Sequence, residues 1–446
     1  MHRQFILGLA TLLFWPTASL LAADEENWAQ FRGPKALGVS KNPDLPDKWS
    51  PTKNVLWKRD VAGRGWSSPV IWGNRVFLTT AINEDKTEEP KKGLYFGGNR
   101  AAVKTIHRWK VLCLDLNTGE VLWEKLARKG KPQGSIHVKN SYATETPVTD
   151  GERVYAYFGN HGLYCYSVEG ELLWDKQWPA HKTRYGWGLA ASPILHQGKL
   201  YLVNDNDEQS YLVALEAKTG KEVWRTNIES DYGGRMMSGW KWSESPLVDG
   251  GKVVVTPGGT KGGVLALDAK TGKQVWRCKD FTDSAGYSSL IARDFGGVKQ
   301  YIQVSGKSVV GVDANSGKLL WQAPRAGKTA VVSNPIFHEG SLFVTSSYGV
   351  GCNGFEVSGT GGNFKAKQTY ANKSISNHHG GCIRVGDYVY GASGSVLVCL
   401  DLKTGKEMWK ERSAGKGAIV VVGNKIILRA ESKGTISLVE LNPNVT

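Results

Sequence analysis

The chain has 446 residues, too many for one simple core; 41% are hydrophobic and 22% charged, as in ordinary globular proteins, but glycine (54) and tryptophan (17) are in excess. A formal charge of +15 favours acidic partners or surfaces, although much of the lysine falls in repeated turns and reads as a solvated basic surface. After the first residues no stretch approaches the ~20 uninterrupted apolar residues of a membrane-spanning helix, which excludes a bundle of such helices.

Residues 1–23 read as a secretory signal peptide: Arg3 supplies the positive start, Phe5 to Trp15 the apolar run, Ala22 and Ala23 the small-residue processing site. The expectation is a periplasmic or secreted protein with no membrane span once the signal is removed. Residues 24–53 form an N-terminal extension. Everything from 54 to 446 is repetitive. "VLCLDLNTGEVLWEK", "YLVALEAKTGKEVWRTN", "GVLALDAKTGKQVWRCK", "VVGVDANSGKLLWQA" and "VLVCLDLKTGKEMWKER" each give an alternating apolar strand, a Thr/Ser-Gly turn and a second strand with a tryptophan. A further hairpin precedes each, as in "SSPVIWGNRVFLTT", "ASPILHQGKLYLVN" and "GGCIRVGDYVYGAS". Two hairpins make a four-stranded antiparallel blade of about 45 to 50 residues, the length of one propeller blade.

First hairpins start near Ser67, Glu145, Ala191, Glu244, Ser288, Ser333, Gly380 and Gly417. The fold class is therefore all-β, an eight-bladed β-propeller of four-stranded antiparallel blades. The last copy stops after three strands, and "NVLWKRDV" (54–61) is an orphan outer strand. The ring is expected to close by pairing this N-terminal strand with the C-terminal blade. Residues 82–109 interrupt the first blade and are expected to project as a flap with Tyr95 and Phe96 at its tip.

Trp57, Trp123, Trp174, Trp224, Trp276, Trp321 and Trp409 recur at one strand position and read as structural blade tryptophans packed between neighbours; the sixth copy, around "NFKAKQTY", lacks one. Cys113, Cys165 and Cys399 share a strand position where other copies carry Ala214, Ala266 and Gly311, so they read as small core residues. Cys352 and Cys382, in neighbouring units, are the more plausible disulfide pair, with Cys278 free.

The repeated "LDAKTGKQVW" is similar to the tryptophan-docking repeat of quinoprotein dehydrogenases and of the propeller that assists outer-membrane β-barrel assembly. With "WAQFRGPKALGVS", "GRGWSSPVIWGNRVF", "HHGGCIRVGDYVYG" and "GTISLVELNP", the chain from about 28 to 444 resembles the PQQ-like, or PQQ-binding-like, β-propeller repeat family. The resemblance implies the fold and leaves the chemistry open.

In a propeller the loops entering the innermost strands, and those between second and third strands, open on one face around the channel. Trp66, Glu145, Trp187, Trp242, Glu244, Tyr287, Asn334, His378 and His379 are therefore expected at one mouth as ligand-binding residues, with His161, Asp205 and Asp207 from the second set of loops. Aromatic planes with a few directed polar groups suit a sugar or a quinone-like ring. The adjacent-cysteine disulfide of quinoprotein alcohol dehydrogenases is absent, and so is the C-x-x-C-H haem motif of their cytochrome-linked relatives. There is no Walker loop, H-E-x-x-H or nucleophile elbow. Two readings follow. The first is an exported binding or scaffold propeller whose channel mouth meets an envelope protein or a carbohydrate, with no nucleic-acid partner. The alternative is a periplasmic quinoprotein-type dehydrogenase of alcohols or sugars, which would need PQQ and calcium; no catalytic or metal-ligating residue is assigned for it.

Overall fold

Alternating apolar strands separated by Asp-x-x-Thr-Gly turns can bury one face each only by stacking, and in the computed structural model they do so as eight four-stranded sheets. The structure describes residues 27–42, 45–89, 97–205, 208–412, 415–431 and 434–444. The expected signal peptide, the flap tip at Tyr95 and Phe96, and Asp207 lie outside them. The blades span 70–130, 148–176, 194–227, 247–278, 291–324, 336–372, 382–411 and 417–440. Pairing is antiparallel and sequential in seven of them, the eighth adding a parallel strand from the N-terminal segment, and this is the eight-bladed propeller that the repeats imply. None of the helices among the described residues is long and apolar enough to cross a membrane.

One local device joins the blades. In the fourth blade Asp268 Oδ1 accepts hydrogen bonds from the Lys270 and Thr271 amides (3.1 and 2.8 Å), and Gly272 closes the turn at φ 69°. The Trp224 ring of the preceding blade lies on that glycine, where an added Cβ would stand 2.6 Å from the ring; its indole N–H donates to the Ala269 carbonyl at 3.1 Å. Trp57, Trp123, Trp174, Trp276 and Trp409 make the same bond to Leu116, Val168, Ala217, Ala314 and Asn442. In the sixth blade, which lacks the tryptophan, Tyr370 takes its place: the hydroxyl donates to the Leu402 carbonyl (3.0 Å) and the ring covers Gly405. Trp321 is the variation, turning its N–H to Gln300 Oε1 of its own blade at 2.7 Å.

The same register explains the cysteines. Cys113, Cys165, Ala214, Ala266, Gly311, Gly354 and Cys399 lie directly across from the docking aromatic, each next to a bulge in the outer pair. Only a small side chain fits beneath the ring. Burial pushes the Cys113 and Cys399 thiols up to about 11 and Cys165 to about 12, so they stay protonated and inert. At Gly311 a Cβ would fall 2.2 Å from the Trp321 ring. Gly311→Ala is expected to lower stability by about 1–3 kcal/mol in urea unfolding, the usual penalty of overpacking. Cys352 and Cys382 share one apolar cluster but remain unbridged, and all six cysteines are free and buried.

The N-terminal expectation needs correction. An N-terminal strand does pair with the last blade, but it is Val39–Ser40, running parallel beside Val421 and Val422 on the side of the blade's first strand. Residues 54–61 form no strand: Leu56 is 91% exposed, and the segment is anchored by Trp57 docking on the turn of the first blade and by Arg59 bonding the Gly119 carbonyl at 3.0 Å. Upstream, Trp28 exchanges backbone bonds with Ile71 (2.9 and 2.8 Å), the Thr149 amide donates to Ala29 (3.1 Å), and Arg32 Nη2 donates to the Cys382 carbonyl (3.1 Å). Residues 28–40 thus strap together blades one, two, seven and eight.

Candidate functional site

The loops that enter the innermost strands carry the chemistry, because inner strands converge on the axis and bring loops remote in sequence together. They enclose a cavity of about 700 Å³. It is lined by Trp66 before blade one, His137 to Thr144 before blade two, Thr183 to Ala191 before blade three, Trp240 to Ser243 before blade four, Tyr287, Thr329 to Val332 and His378 before blades five to seven. Val203 and Asp205 come from the end of the second strand of blade three, and Tyr348 from the loop between the second and third strands of blade six. Seven of the eight blades therefore contribute to one mouth.

Backbone strain gathers here. Lys241 (φ 61°), Thr329 (φ 52°) and Tyr348 (φ 57°) line the cavity, and Tyr185 (φ 57°) packs beside Trp187. Each such non-glycine residue costs about 1–3 kcal/mol, so the surrounding loops must hold it in place. At Lys241 the effect is plain. The left-handed kink separates two neighbouring tryptophans: Trp240 stacks on Trp187 (centroids 5.5 Å apart, planes 17° apart), while Trp242, 4% exposed, joins the core and donates to the Thr256 carbonyl at 3.0 Å. His137 meets Trp187 edge-on at 4.7 Å and Tyr287 lies 6.1 Å from Trp240, completing an aromatic arc. Tyr348 and His378, 5.5 Å apart, stand in the same cavity. The described part of the blade-one insertion backs the arc: Trp187 donates to the Gly98 carbonyl at 3.0 Å and the Arg100 amide to Tyr185 at 2.8 Å.

The carboxyls of the site are buried and neutral near pH 7. Desolvation pushes Glu145, Asp205 and Glu244 each up to about 8. Asp205 lines the cavity and accepts from the Ser210 hydroxyl. Glu244 accepts from the Thr256 amide at 2.5 Å, and its other oxygen is buried with no partner. Glu145 lines a separate void of about 20 Å³ together with His161, large enough for one water. His161 Nε2 accepts from the Gln133 amide and its Nδ1–H therefore donates to the Phe158 carbonyl (both 3.0 Å); the ring is stacked 4.3 Å from Trp109, and burial pushes its pKa down to about 3. It is a structural histidine.

Basic groups gather at one wall. Glu431 accepts Lys139 at 2.6 Å and Lys416 at 3.3 Å, with His379 Nε2 at 3.7 Å. Burial works against ionisation of Glu431, but these neighbours hold its carboxyl down at about 2. Lys416 Nζ lies 3.2 Å from His378 Nδ1; an ammonium can only donate, so the neutral His378 ring carries its proton on Nε2. Burial, then Lys416, pushes His378 down to about 4.

Of the expected mouth residues, Trp66, Trp187, Trp242, Tyr287 and His378 line the cavity, Trp242 with little exposed surface. Glu145 and Glu244 lie buried outside its lining. Asn334 is exposed and spends its carbonyl on the Ser289 amide (3.0 Å), and His379 turns to Glu431. His137, Lys139, Lys241, Thr329 and Tyr348 went unread. Applying the entering-loop rule to every residue between repeats would have reached all but Tyr348.

A family model described as outer membrane protein assembly factor BamB matches residues 48–174 and 160–411. The chain belongs to this family of PQQ-like propellers. Within the family's wider circle, the BamB of Burkholderia pseudomallei is 32% identical over 199 residues, covering 43% of this chain and 45% of that protein. The quinohemoprotein alcohol dehydrogenase ADH IIB of Pseudomonas putida is 32% identical over 143 residues, covering 30% and 20%. The chain thus spans less than half the length of the curated relatives it matches. Among solved structures, the quinohemoprotein alcohol dehydrogenase of Comamonas testosteroni superposes with a TM-score of 0.55 at 14% identity, covering 92% of this chain and 77% of that one, a likeness of fold. Among the described residues no three His, Cys, Asp or Glu side chains come together closely enough to hold a metal ion.

Proposed function

We propose that this chain is an exported binding propeller whose channel mouth takes a carbohydrate at the cell envelope. The observation that carries the reading is the cavity of about 700 Å³, within the roughly 300–1,000 Å³ of small-molecule sites, walled by Trp66, Trp187, Trp240, Tyr287 and Tyr348 with hydroxyl and amide groups between them. Such rings offer flat apolar faces to sugar C–H groups, and the strained loops hold them ready before a ligand arrives. Membrane-assembly relatives favour an envelope setting, and an envelope protein is the other partner that setting supplies. A dehydrogenase reading draws on the names of the quinohemoprotein relatives.

Trp66 provides the test. It is 41% exposed within the cavity lining, so Trp66→Ala is expected to leave the melting temperature within about 2 °C of wild type and to weaken oligosaccharide retention on a glycan array by about tenfold or more. Equal retention by both proteins would move the ligand elsewhere. A saturable, calcium-dependent spectrum with added PQQ, accompanied by dye reduction on an alcohol or sugar, would replace binding with oxidation.

A further inference from the structure

From the charges on the cavity wall we infer that the mouth selects anionic saccharides, sugars bearing a carboxylate or a sulfate, over neutral ones. The inference rests on the carbohydrate reading above and sharpens it.

Apart from its tyrosines, the cavity is lined, among the described residues, by five titratable side chains: His137, Lys139, Asp205, Lys241 and His378. Two of them are ammonium groups. Their carboxylate partners stand outside the lining: Lys241 pairs with Glu229, which is about half exposed, and Lys139 pairs with Glu431. Glu431 is not Lys139's alone. Lys416 reaches it at 3.3 Å while also touching His378, so two lysines share one carboxylate at the back of the wall. The local balance is positive.

Among the described residues no ionised carboxylate lines the inner surface near neutral pH. Asp205 is the carboxyl in the lining, and burial keeps it protonated, able to donate as well as accept. Burial holds His137 below its ordinary range, and His378 is neutral, with its Nε2–H left as a donor. The uncharged polar residues Asn140, Thr144, Thr183, Ser243 and Thr329 share the lining with the aromatic residues. Ring faces suit the pyranose, small polar groups its hydroxyls, and the two lysines of the lining an anion. A neutral aromatic ligand would leave the polar groups unmet, and a bare inorganic anion would leave the aromatic faces uncovered.

The experiment uses the processed full chain and isothermal titration with three probes: trigalacturonate, its trimethyl ester, which keeps the rings and removes the charge, and a sulfated neutral trisaccharide. Trigalacturonate or the sulfated sugar is expected to bind about tenfold or more tightly than the ester at low salt, and the margin should shrink at 300 mM salt. The better of the two charged probes identifies the anion. Lys139→Gln with Lys241→Gln should abolish the margin. Because Lys139 also holds Glu431, Lys241→Gln alone, released from an exposed partner, serves as the second variant and should reduce it. Ester binding as tight as the charged sugars, lost in Trp66→Ala, would overturn the anion preference and leave the carbohydrate reading standing. Failure of all three probes, with neutral glycans also unretained on the array, would overturn both.

Discussion

Glu244→Gln is expected to stabilise the protein at pH 8 and to leave it nearly unchanged at pH 5. The unfolded chain releases this proton near 4.5, whereas the folded protein keeps it until about 8, because ionisation would place a charge in a fully buried site with one oxygen already unpartnered. Between those values unfolding releases a proton, so rising pH favours the unfolded chain. The contribution of the group is whole below about 4.5 and is lost as pH climbs through about 8. The gap between about 4.5 and about 8 corresponds to roughly 5 kcal/mol, and glutamine, which cannot ionise, should recover about 2–4 kcal/mol of it at pH 8. Denaturant midpoints measured from pH 5 to 8.5 should fall for the wild type and flatten for the variant; parallel curves would refute the assignment. Glu145→Gln and Asp205→Asn should flatten the profile further, since both groups are pushed up for the same reason.

Trp276→Ala carries the second large effect. The ring is nearly fully buried among residues of blades four and five, donates to the Ala314 carbonyl at 3.2 Å and covers Gly317, where an added Cβ would stand 2.5 Å away. Its removal leaves a cavity at a blade junction and an unpaired carbonyl, at a cost of about 3–5 kcal/mol in equilibrium unfolding. Trp276→Phe keeps most of the apolar contact and loses the hydrogen bond, so it should fall between the two. A loss below about 1 kcal/mol for the alanine variant would mean that neighbouring blades cohere without the docked ring.

These two sites differ in how far they could be read from residues alone. The blade pattern was legible because three constraints repeat together: strand alternation, the turn glycine and the ring that lies on it. The degenerate sixth copy obeys the same geometry with Tyr370, and the cysteines at 113, 165 and 399 are explained by the space a ring leaves beneath it. Segment 54–61 misled because alternation reports a strand's own pattern and says nothing of a partner edge, while the two-residue strand at Val39–Ser40 is too short for any pattern to register.

At the mouth, the entering-loop rule found Trp66, Trp187, Tyr287 and His378, whose place in those loops alone brings them to the cavity. It could not tell Trp240 from Trp242, since that choice turns on a left-handed lysine between them, a residue type with no preference for that conformation. Nor could it separate polar loop residues that face the cavity from Glu145, Glu244 and His161, which are covered by neighbouring loops. His137 and Lys139 belong to a connection that aligns with no other copy.

The N-terminal strap has a consequence for the order of events in synthesis. Arg32 bonds a carbonyl 350 positions further along the chain, and Val39 pairs with Val421. Trp28 and Ala29 can bind blades one and two as soon as these form, but Arg32 and Val39 have no partner until blades seven and eight exist. Contacts of such separation close late and slowly. Docking of Arg32 and Val39–Ser40 onto blades seven and eight is therefore expected to be a late step, the one that ties the first blades to the last.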